Sequence, residues 1–401
     1  MAGEDTSKVW IPSIVDRIAR FLSTNEVACS LRVVDKATAA MLRSPEFTTV
    51  RLSEPVPHHA FAWRWGRPGS MHDLTLARRR ELLCLTAASG AADNLALAAR
   101  ACGCPLTNQV AYSAGRAGQL GSCLALEELG CDLRRAVEGA AAGGHQALCV
   151  EQANMCSHFS PIDCANAAAK GGHADLFQWM LGWDIEPALH AGGWRFDAQE
   201  ASRCAAWRGH LHVVAWLAET PDLGVALDEL LFEGAGQSGS VELMAWLRER
   251  GCPWDVHTFT AAAKSGCEAA LEWLAERGCP MPEDGSPFTE AARSADLLTL
   301  ECLRRLGCPS GPSGSVVNTF IRSGAHRTEP DARKLPNGGL LVLEWLVDAG
   351  CPVDWPAAVE EAEAQARTVV RASAGCDYSE SCRRWREESE ALVAWMRSLA
   401  Q

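Results

Sequence analysis

The sequence predicts an all-α solenoid of about ten helix-turn-helix repeats, preceded by a separate helical module. Three observations support this prediction. The tripeptide Gly-Cys-Pro occurs five times in 401 residues, starting at Gly103, Gly251, Gly278, Gly307 and Gly350. The chain has 15 Trp but only 2 Tyr, as expected when one aromatic position is copied many times. Its hydrophobic content of 48% and charged content of 22% are those of a folded chain.

The recurring unit is Ala-Ala-x-x-Gly-His-Leu-x-x-Φ-x-Trp-Leu-x-x-x-Gly-Cys-Pro, where Φ is apolar. Its clearest copy begins at Ala205 and reaches Trp216 and Leu217. Aligned on the Cys position, units end near residues 104, 131, 156, 183, 222, 252, 279, 308 and 351, and a truncated unit is expected around Trp395. The commonest spacing, 27 residues, suits two short helices joined by tight turns.

Each unit is predicted to contain two helices. An Ala-rich helix A ends in a turn at the Gly, and helix B follows with apolar residues spaced as Leu211, Val214 and Leu217. The Gly of Gly-Cys-Pro supplies a left-handed residue after helix B, and the Pro prevents continuation. Small residues on helix A let neighbouring units approach closely. Because one unit cannot bury its own apolar face, the units must stack.

Short motifs within the array point to a known repeat. They are Ser286-Pro287-Phe288-Thr289 with Ala291-Ala292, and Gly144-His145, Gly172-His173 and Gly209-His210-Leu211. With them the pattern resembles the ankyrin repeat over roughly residues 82–400, and it is similar to divergent Gly-Cys-Pro-Trp arrays of algae and other protists. Most units lack the family's Thr-Pro-Leu-His, and they are shorter than its 33 residues, so projecting hairpins should be short or absent. The resemblance implies a protein-binding solenoid.

The period is interrupted at 184–200, 310–339 and 373–386. The middle insertion is polar and rich in Gly and Pro, which predicts a loop over part of its length. Insertions in solenoids often collect on a binding face, although tolerated drift explains them equally simply because longer loops add little closure entropy.

Residues 1–50 do not fit the repeat. Ile14, Ile18 and Leu22 recur every four residues, which predicts an amphipathic helix, and Ser23 or Thr24 is expected to cap a second helix. With Ile11-Pro12, Leu31-Arg32-Val33-Val34 and Lys36, the layout resembles the F-box, a three-helix module.

The F-box resemblance implies docking on a Skp1-type adaptor of a cullin-RING ubiquitin ligase, with the repeats holding the substrate. The implied adaptor-binding residues are Pro12, Ile14, Ile18, Leu22, Leu31 and Val34. The alternative is that the segment only caps the first repeat, because every solenoid needs a terminal cap.

Residues 51–81 are predicted to link the module to the array at 82–401. The stretch 51–80 has six Arg against two acidic residues, with Trp63 and Trp65 nearby. Basic and aromatic residues together can bind RNA. The net charge of −13 and the pI of about 5.4 instead favour a solvated linker. An acidic chain has the wrong sign of charge for a dedicated nucleic-acid binder, so the sequence argues against such a partner.

The sequence carries no sign of an enzyme, and it predicts no cofactor and no metal. Gly234-Ala-Gly236-Gln-Ser-Gly239 matches a dinucleotide-loop pattern, but its position in the repeat places it on helix A. The close thiol pairs, Cys102 with Cys104 and Cys376 with Cys382, lack the spacing of a zinc site. His145, His173 and His210 lie at the interhelical turn, where a structural hydrogen bond is expected.

Trp residues outside the repeat pattern are the candidates for partner binding, since exposed Trp is common at binding hot spots. They are Trp194, Trp207 and Trp254. The alternative for each is that it covers a neighbouring loop.

The expected role is non-catalytic protein recognition, with a ligase adaptor, a plain scaffold subunit and an RNA-associated factor as the alternatives. The N-terminal residues show neither a secretory signal nor a transit peptide, and no apolar run reaches the ~18 residues of a membrane span. With 18 Cys and no glycosylation sequon, reduced thiols in the cytoplasm or nucleus are expected.

Overall fold

The computed structural model describes residues 11–155, 160–181, 197–325, 339–373 and 380–400, and every regular element in them is helical. They form two compact units that divide between Asp197 and Ala198. The prediction of an all-α solenoid of about ten repeats is confirmed, since the described residues contain ten successive helix pairs, four in the first unit and six in the second.

Five short helices precede the pairs. They are α1 (Pro12–Ala19), α2 (Thr24–Glu26, continued by a π-helical turn over Val27–Leu31), α3 (Lys36–Met41), α4 (Pro45–Thr48) and α5 (His58–Trp65). Helix α2 begins with a capping box: Ser23 Oγ accepts from the Glu26 amide, and the Glu26 carboxylate accepts from the Ser23 amide at 2.8 Å. The Ser23 amide and the Ser23 hydroxyl, which donates to the same carboxylate at 2.9 Å, hold the pKa of the Glu26 carboxyl below its usual value.

The four pairs of the first unit are α6 (Leu76–Ser89) with α7 (Ala92–Ala101), α8 (Asn108–Arg116) with α9 (Leu120–Glu128), α10 (Arg134–Ala142) with α11 (Gln146–Met155), and α12 (Pro161–Gly171) with α13 (Ala174–Leu181). Helices α6, α8, α10 and α12 pack one against the next. Helix α6 thus begins before residue 82, and α5 lies inside the segment that the sequence predicts to be a linker.

The six pairs of the second unit repeat this order. They are α14 (Ala198–Ala206) with α15 (Leu211–Glu219), α16 (Glu229–Ser238) with α17 (Val241–Glu249), α18 (Val256–Ser265) with α19 (Glu268–Glu276), α20 (Ser286–Arg293) with α21 (Leu297–Arg305), α22 (Ser315–Ala325) with α23 (Gly339–Asp348), and α24 (Trp355–Ser373) with α25 (Glu380–Leu399). Each first helix packs against the next first helix along the unit.

Small residues let the first helices approach closely, as the sequence predicts. Gly115 of α8 faces the backbone of Ala136 in α10, and Gly139 of α10 faces the Tyr112 carbonyl. A Cβ atom at either glycine would lie well inside contact distance of the opposite carbonyl oxygen. These glycines therefore determine how closely adjacent first helices pack. Their role is the missing side chain and not backbone flexibility.

The Gly-Cys-Pro turns end the second helices as predicted, since all five glycines have φ between 58° and 78°. In the turn after α17, the Cys252 amide donates to the Leu247 carbonyl and the Gly251 amide to the Arg248 carbonyl, each at 3.0 Å. This is a Schellman motif. The Cys252 thiol then lies 3.3 Å from the carbonyl oxygen of Asp228, which caps α16. The Cys252 thiol therefore links the turn after α17 to the start of α16 in the same helix pair.

The interruptions of the period lie mostly at residues 182–196, 326–338 and 374–379, outside the described residues. Within the middle insertion, Ser315–Ala325 forms helix α22 and takes the place of a first helix. The expectation of a truncated final unit around Trp395 is wrong, because α24 and α25 are 19 and 20 residues long. Within the described residues, none of the helices is both long and apolar enough to cross a bilayer.

Candidate protein-interaction surfaces

Residues 11–48 form a helical module with its own apolar core. Val15, Ala19, Val27, Leu31 and Leu42 are buried in this core, and Ile18, Leu22 and Phe47 pack against it. Three of the six predicted adaptor-binding residues, Ile18, Leu22 and Leu31, thus contribute to the folding of the module. The other three, Pro12, Ile14 and Val34, are exposed.

The module keeps further large apolar side chains outside its core. Phe21 is 82% exposed, Val33 69% and Val34 50%. Single exposed apolar residues are ordinary on protein surfaces. A concentration of them on so short a segment is instead typical of a surface that a partner covers.

A buried asparagine ties the module to the chain that follows it. Asn25 is fully buried, and its Nδ2 donates to the carbonyl oxygens of Arg51 and Pro55 at 2.8 and 3.1 Å. The Arg51 amide donates back to Asn25 Oδ1 at 2.9 Å. Residues 51–55 are therefore held against α2, although they form no helix.

A second buried asparagine ties the same segment to the first repeat. Asn94 of α7 is 2% exposed, and its Nδ2 donates to the Val56 carbonyl at 2.7 Å. Its Oδ1 lies 2.8 Å from His58 Nδ1. Because the amide nitrogen is the donor to Val56, Oδ1 accepts, and the His58 proton lies on Nδ1. Helix α5 is thereby positioned between the module and α7, against which it packs.

An open apolar groove lies between the module and α5. It encloses about 690 Å³, which is in the size range of ligand sites. Its wall is mostly aliphatic and aromatic: Cys29, Val33, Val50, Leu52, Val56, Ala60, Phe61, Trp63 and Trp65, with His59 and Arg64. Phe61 is buried beneath it, whereas Val50 is 43% and Trp63 67% exposed.

Two arginines flank the indole rings of the groove. The Arg64 guanidinium lies 4.2 Å from the Trp65 ring centroid, and the Arg67 guanidinium lies 5.3 Å from that of Trp63. Both arginines are exposed, and neither forms an ion pair with a carboxylate of the described residues. The sequence shows the charge of this stretch but not the groove, because Val33 and Val50 of the groove wall lie outside residues 51–80.

The three Trp candidates differ in their surroundings. Trp207 is 53% exposed and lies across Gly234 of the next first helix, so that a Cβ there would be 2.6 Å from Trp207 Cδ1. Trp254 is half-buried, with ring centroids 5.4 Å from Phe232 and 6.1 Å from Trp273. Trp194 lies outside the described residues. Trp207 is thus the one of the two described candidates that presents its ring to solvent.

Gly234 and Gly236 lie inside helix α16, and Gly239 is its left-handed C-cap, as the repeat pattern predicts. The ring of His145 packs on Gly118 and Gly143, with Nε2 3.1 Å from the Arg116 carbonyl. That histidine therefore has the predicted structural role at the turn.

Most of the described cysteines of the array are buried, and burial raises the thiol pKa of Cys252, Cys279 and Cys308 to about 12. Such thiols are neutral and poorly nucleophilic at neutral pH. In the described ranges, no cluster of three His, Cys, Asp or Glu side chains is arranged to bind a metal ion.

No protein-family model matches this chain, and no curated protein matches it either. Among solved structures it is similar to the pentatricopeptide repeat protein PPR10 from maize, with 14% sequence identity and a TM-score of 0.28. That alignment covers 92% of this chain and 59% of the maize protein. The chain is a helical-repeat protein on the evidence of its own stacked helix pairs.

Proposed function

We propose that this chain is a non-catalytic scaffold that binds other proteins. The observation that carries the proposal is the set of apolar side chains that the N-terminal module leaves in solvent, with Phe21, Val33 and Val34 all at least half exposed. The stacked helix pairs of each unit also offer an extended surface, and in the second unit Trp207 is an exposed aromatic anchor of the kind found at binding hot spots.

Within this role, the module is an F-box-like docking element for a Skp1-type adaptor, and the repeats, ankyrin-like in sequence, hold the substrate of a cullin ubiquitin ligase. The core formed around Ile18, Leu22 and Leu31 supports this proposal, because it gives a folded module that presents Pro12, Ile14 and Val34. Apolar side chains already exposed in the free protein need no rearrangement before docking.

The test is direct binding between the purified full chain and a purified Skp1-type protein, measured by isothermal titration calorimetry. Ile14→Asp and Val34→Asp place a charge in the proposed interface, and each is expected to weaken binding about 100-fold because the carboxylate would be buried unpaired. Leu298→Asp is the matched control, since Leu298 is 71% exposed in α21. Leu31 is unsuitable for this test because it is part of the module core.

If the wild-type chain does not bind the adaptor, the ligase proposal is overturned. The protein would then be a scaffold subunit whose module caps the first repeat. Equal affinity of all three variants would overturn the F-box-like role of the module, because the adaptor would then dock on another surface of the chain. The RNA-associated alternative predicts instead that binding of a single-stranded oligonucleotide falls steeply with salt.

A further inference from the structure

We infer that the groove between the N-terminal module and α5 binds an acidic amphipathic peptide segment of a partner protein. The groove is defined by Val33, Val50 and Leu52 on one side and by Trp63 and Trp65 on the other. This inference differs from adaptor docking in its residues, since Trp63, Arg64 and Arg67 take no part in that proposal and Pro12, Ile14 and Val34 do not line the groove.

The shape of the groove favours a short segment as its occupant. A volume of about 690 Å³ accommodates a few bulky side chains and not a folded domain. The groove is also preorganised, because Asn25 fixes residues 51–55 against the module and Asn94 fixes Val56 and His58 against the first repeat. A preformed site loses little conformational entropy when a ligand binds.

The charge of the rim selects an acidic occupant. Residues 51–80 carry six Arg against two acidic residues in a chain of net charge −13. Arg51 and Arg78 pair with Glu54 and Glu81, so the charge that a ligand would meet at the groove is that of Arg64 and Arg67. Arg64 and Arg67 lie on the groove's indole rings and have no carboxylate partner in the described part of the chain. Asp or Glu residues beside the apolar anchors of a peptide would supply these partners.

The wall also favours a peptide over RNA. Single-stranded RNA is held by open aromatic faces on which bases stack. Here guanidinium groups cover one face of each indole, and Val33, Val50, Leu52 and Val56 form an aliphatic wall that suits Leu, Phe or Trp side chains.

The test uses a phage-displayed library of random 16-residue peptides, selected on the full-length protein and counter-selected on its Trp63→Ala variant. Enriched peptides are expected to carry at least two bulky apolar residues and a net negative charge. Synthetic copies, followed by fluorescence anisotropy, should bind Trp63→Ala about 30-fold more weakly, as for a hot-spot residue. The double change Arg64→Glu and Arg67→Glu should reduce affinity at least as much and reduce its salt dependence.

Two further variants complete the test, one as a control and one on the opposite wall of the groove. Lys264→Glu makes the same reversal of charge at an exposed position of α18 in the second unit, and it should leave peptide affinity unchanged. Val33→Asp probes the opposite wall at a residue that is 69% exposed, so the fold should survive while binding is lost. Circular dichroism melting curves identify any variant that fails to fold.

Enrichment of neutral or basic peptides, no enrichment, or equal binding to Trp63→Ala would each overturn the inference. Binding of a labelled oligo-uridine that is lost with Arg64 and Arg67 would reassign the groove to RNA. Dimerisation in sedimentation experiments that is abolished by Trp63→Ala would reassign it to a second copy of this chain. Ile14→Asp should weaken only adaptor binding, so the two proposals can fail separately.

Discussion

Arginine side chains near Trp rings have different partners in the segment before the array and in the regular repeats of the second unit. In the repeats, Arg250 lies 3.9 Å above the Trp246 ring and also bonds Glu219 of the preceding pair at 3.0 Å. Arg305 bonds Glu272 of its preceding pair at 2.6 Å. Around α5, by contrast, Arg64 and Arg67 stack on indoles but have no carboxylate within the described residues.

This difference shows where the molecule has unused binding capacity. Stacked units can pair charged side chains with the preceding unit, as Arg250 and Arg305 do. The segment between module and array has no such neighbour on its outer side. Its apolar and cationic groups therefore remain available, and we expect partner binding to depend mainly on this region and stability mainly on the repeats.

The largest expected effect is a loss of stability in the stacked helices. Gly139→Val would push its side chain into the Tyr112 carbonyl of the adjacent first helix, and overpacking of this kind costs about 3 kcal/mol. The free energy of unfolding is measured by urea denaturation followed by circular dichroism.

Gly121→Val is the matched control, because it lies in a second helix with no atom within 4 Å of its Cβ position. Its stability should stay within about 0.5 kcal/mol of the wild type. If the two variants were equally stable, close packing of first helices could not be what spaces the repeats.

The next effect concerns the two buried asparagines. Asn25→Ala and Asn94→Ala each leave buried backbone carbonyls without their donors, which costs about 2 kcal/mol. Because both asparagines hold residues 51–58 in place, limited proteolysis should cut residues 49–57 first while the second unit stays resistant. Uniform cleavage along the chain would contradict a localised role.

The repeats were predictable from sequence because their chemistry is local. A left-handed Gly, the Schellman hydrogen bonds of Gly251 and Cys252 and the stop at Pro253 all lie within a few residues of one another. A pattern copied with a fixed period therefore identifies turns, helix ends and the small residues between units. Most of the ten pairs follow from that period, whereas the long last pair, α24 with α25, does not.

The candidate surfaces were less accessible to prediction because their contacts are long-range. Asn25 bonds carbonyl groups 26 and 30 residues away, and Asn94 one 38 residues away, and no repeat marks either residue. Trp254 stands outside the repeat pattern like Trp207, yet it packs between Phe232 and Trp273 with Arg248 over its ring. Only the folded chain separates it from the exposed Trp207.

A smaller effect is expected from pH. Burial raises the pKa of Cys252 and Cys279 from 9.0 to about 12, so the fold favours the neutral thiols. Their contribution is complete below about pH 9 and is lost as the pH rises toward 12. The urea midpoint should therefore decrease between pH 7.5 and 10, and it should decrease less in a Cys252→Ala, Cys279→Ala double variant. Parallel pH dependence in both proteins would exclude these thiols as its source.

The smallest stability effect should come from Trp207. Trp207 is 53% exposed and lies over Gly234. Trp207→Ala is therefore expected to lower the free energy of unfolding by only about 1 kcal/mol, because little apolar area is buried. Trp273→Ala, at a residue that is 9% exposed, should cost about 3 kcal/mol. Urea denaturation of both variants measures the contrast. Equal losses of stability would make Trp207 a packing residue like Trp273. The described repeats would then present no exposed Trp to a partner, and binding would depend on the module and the groove.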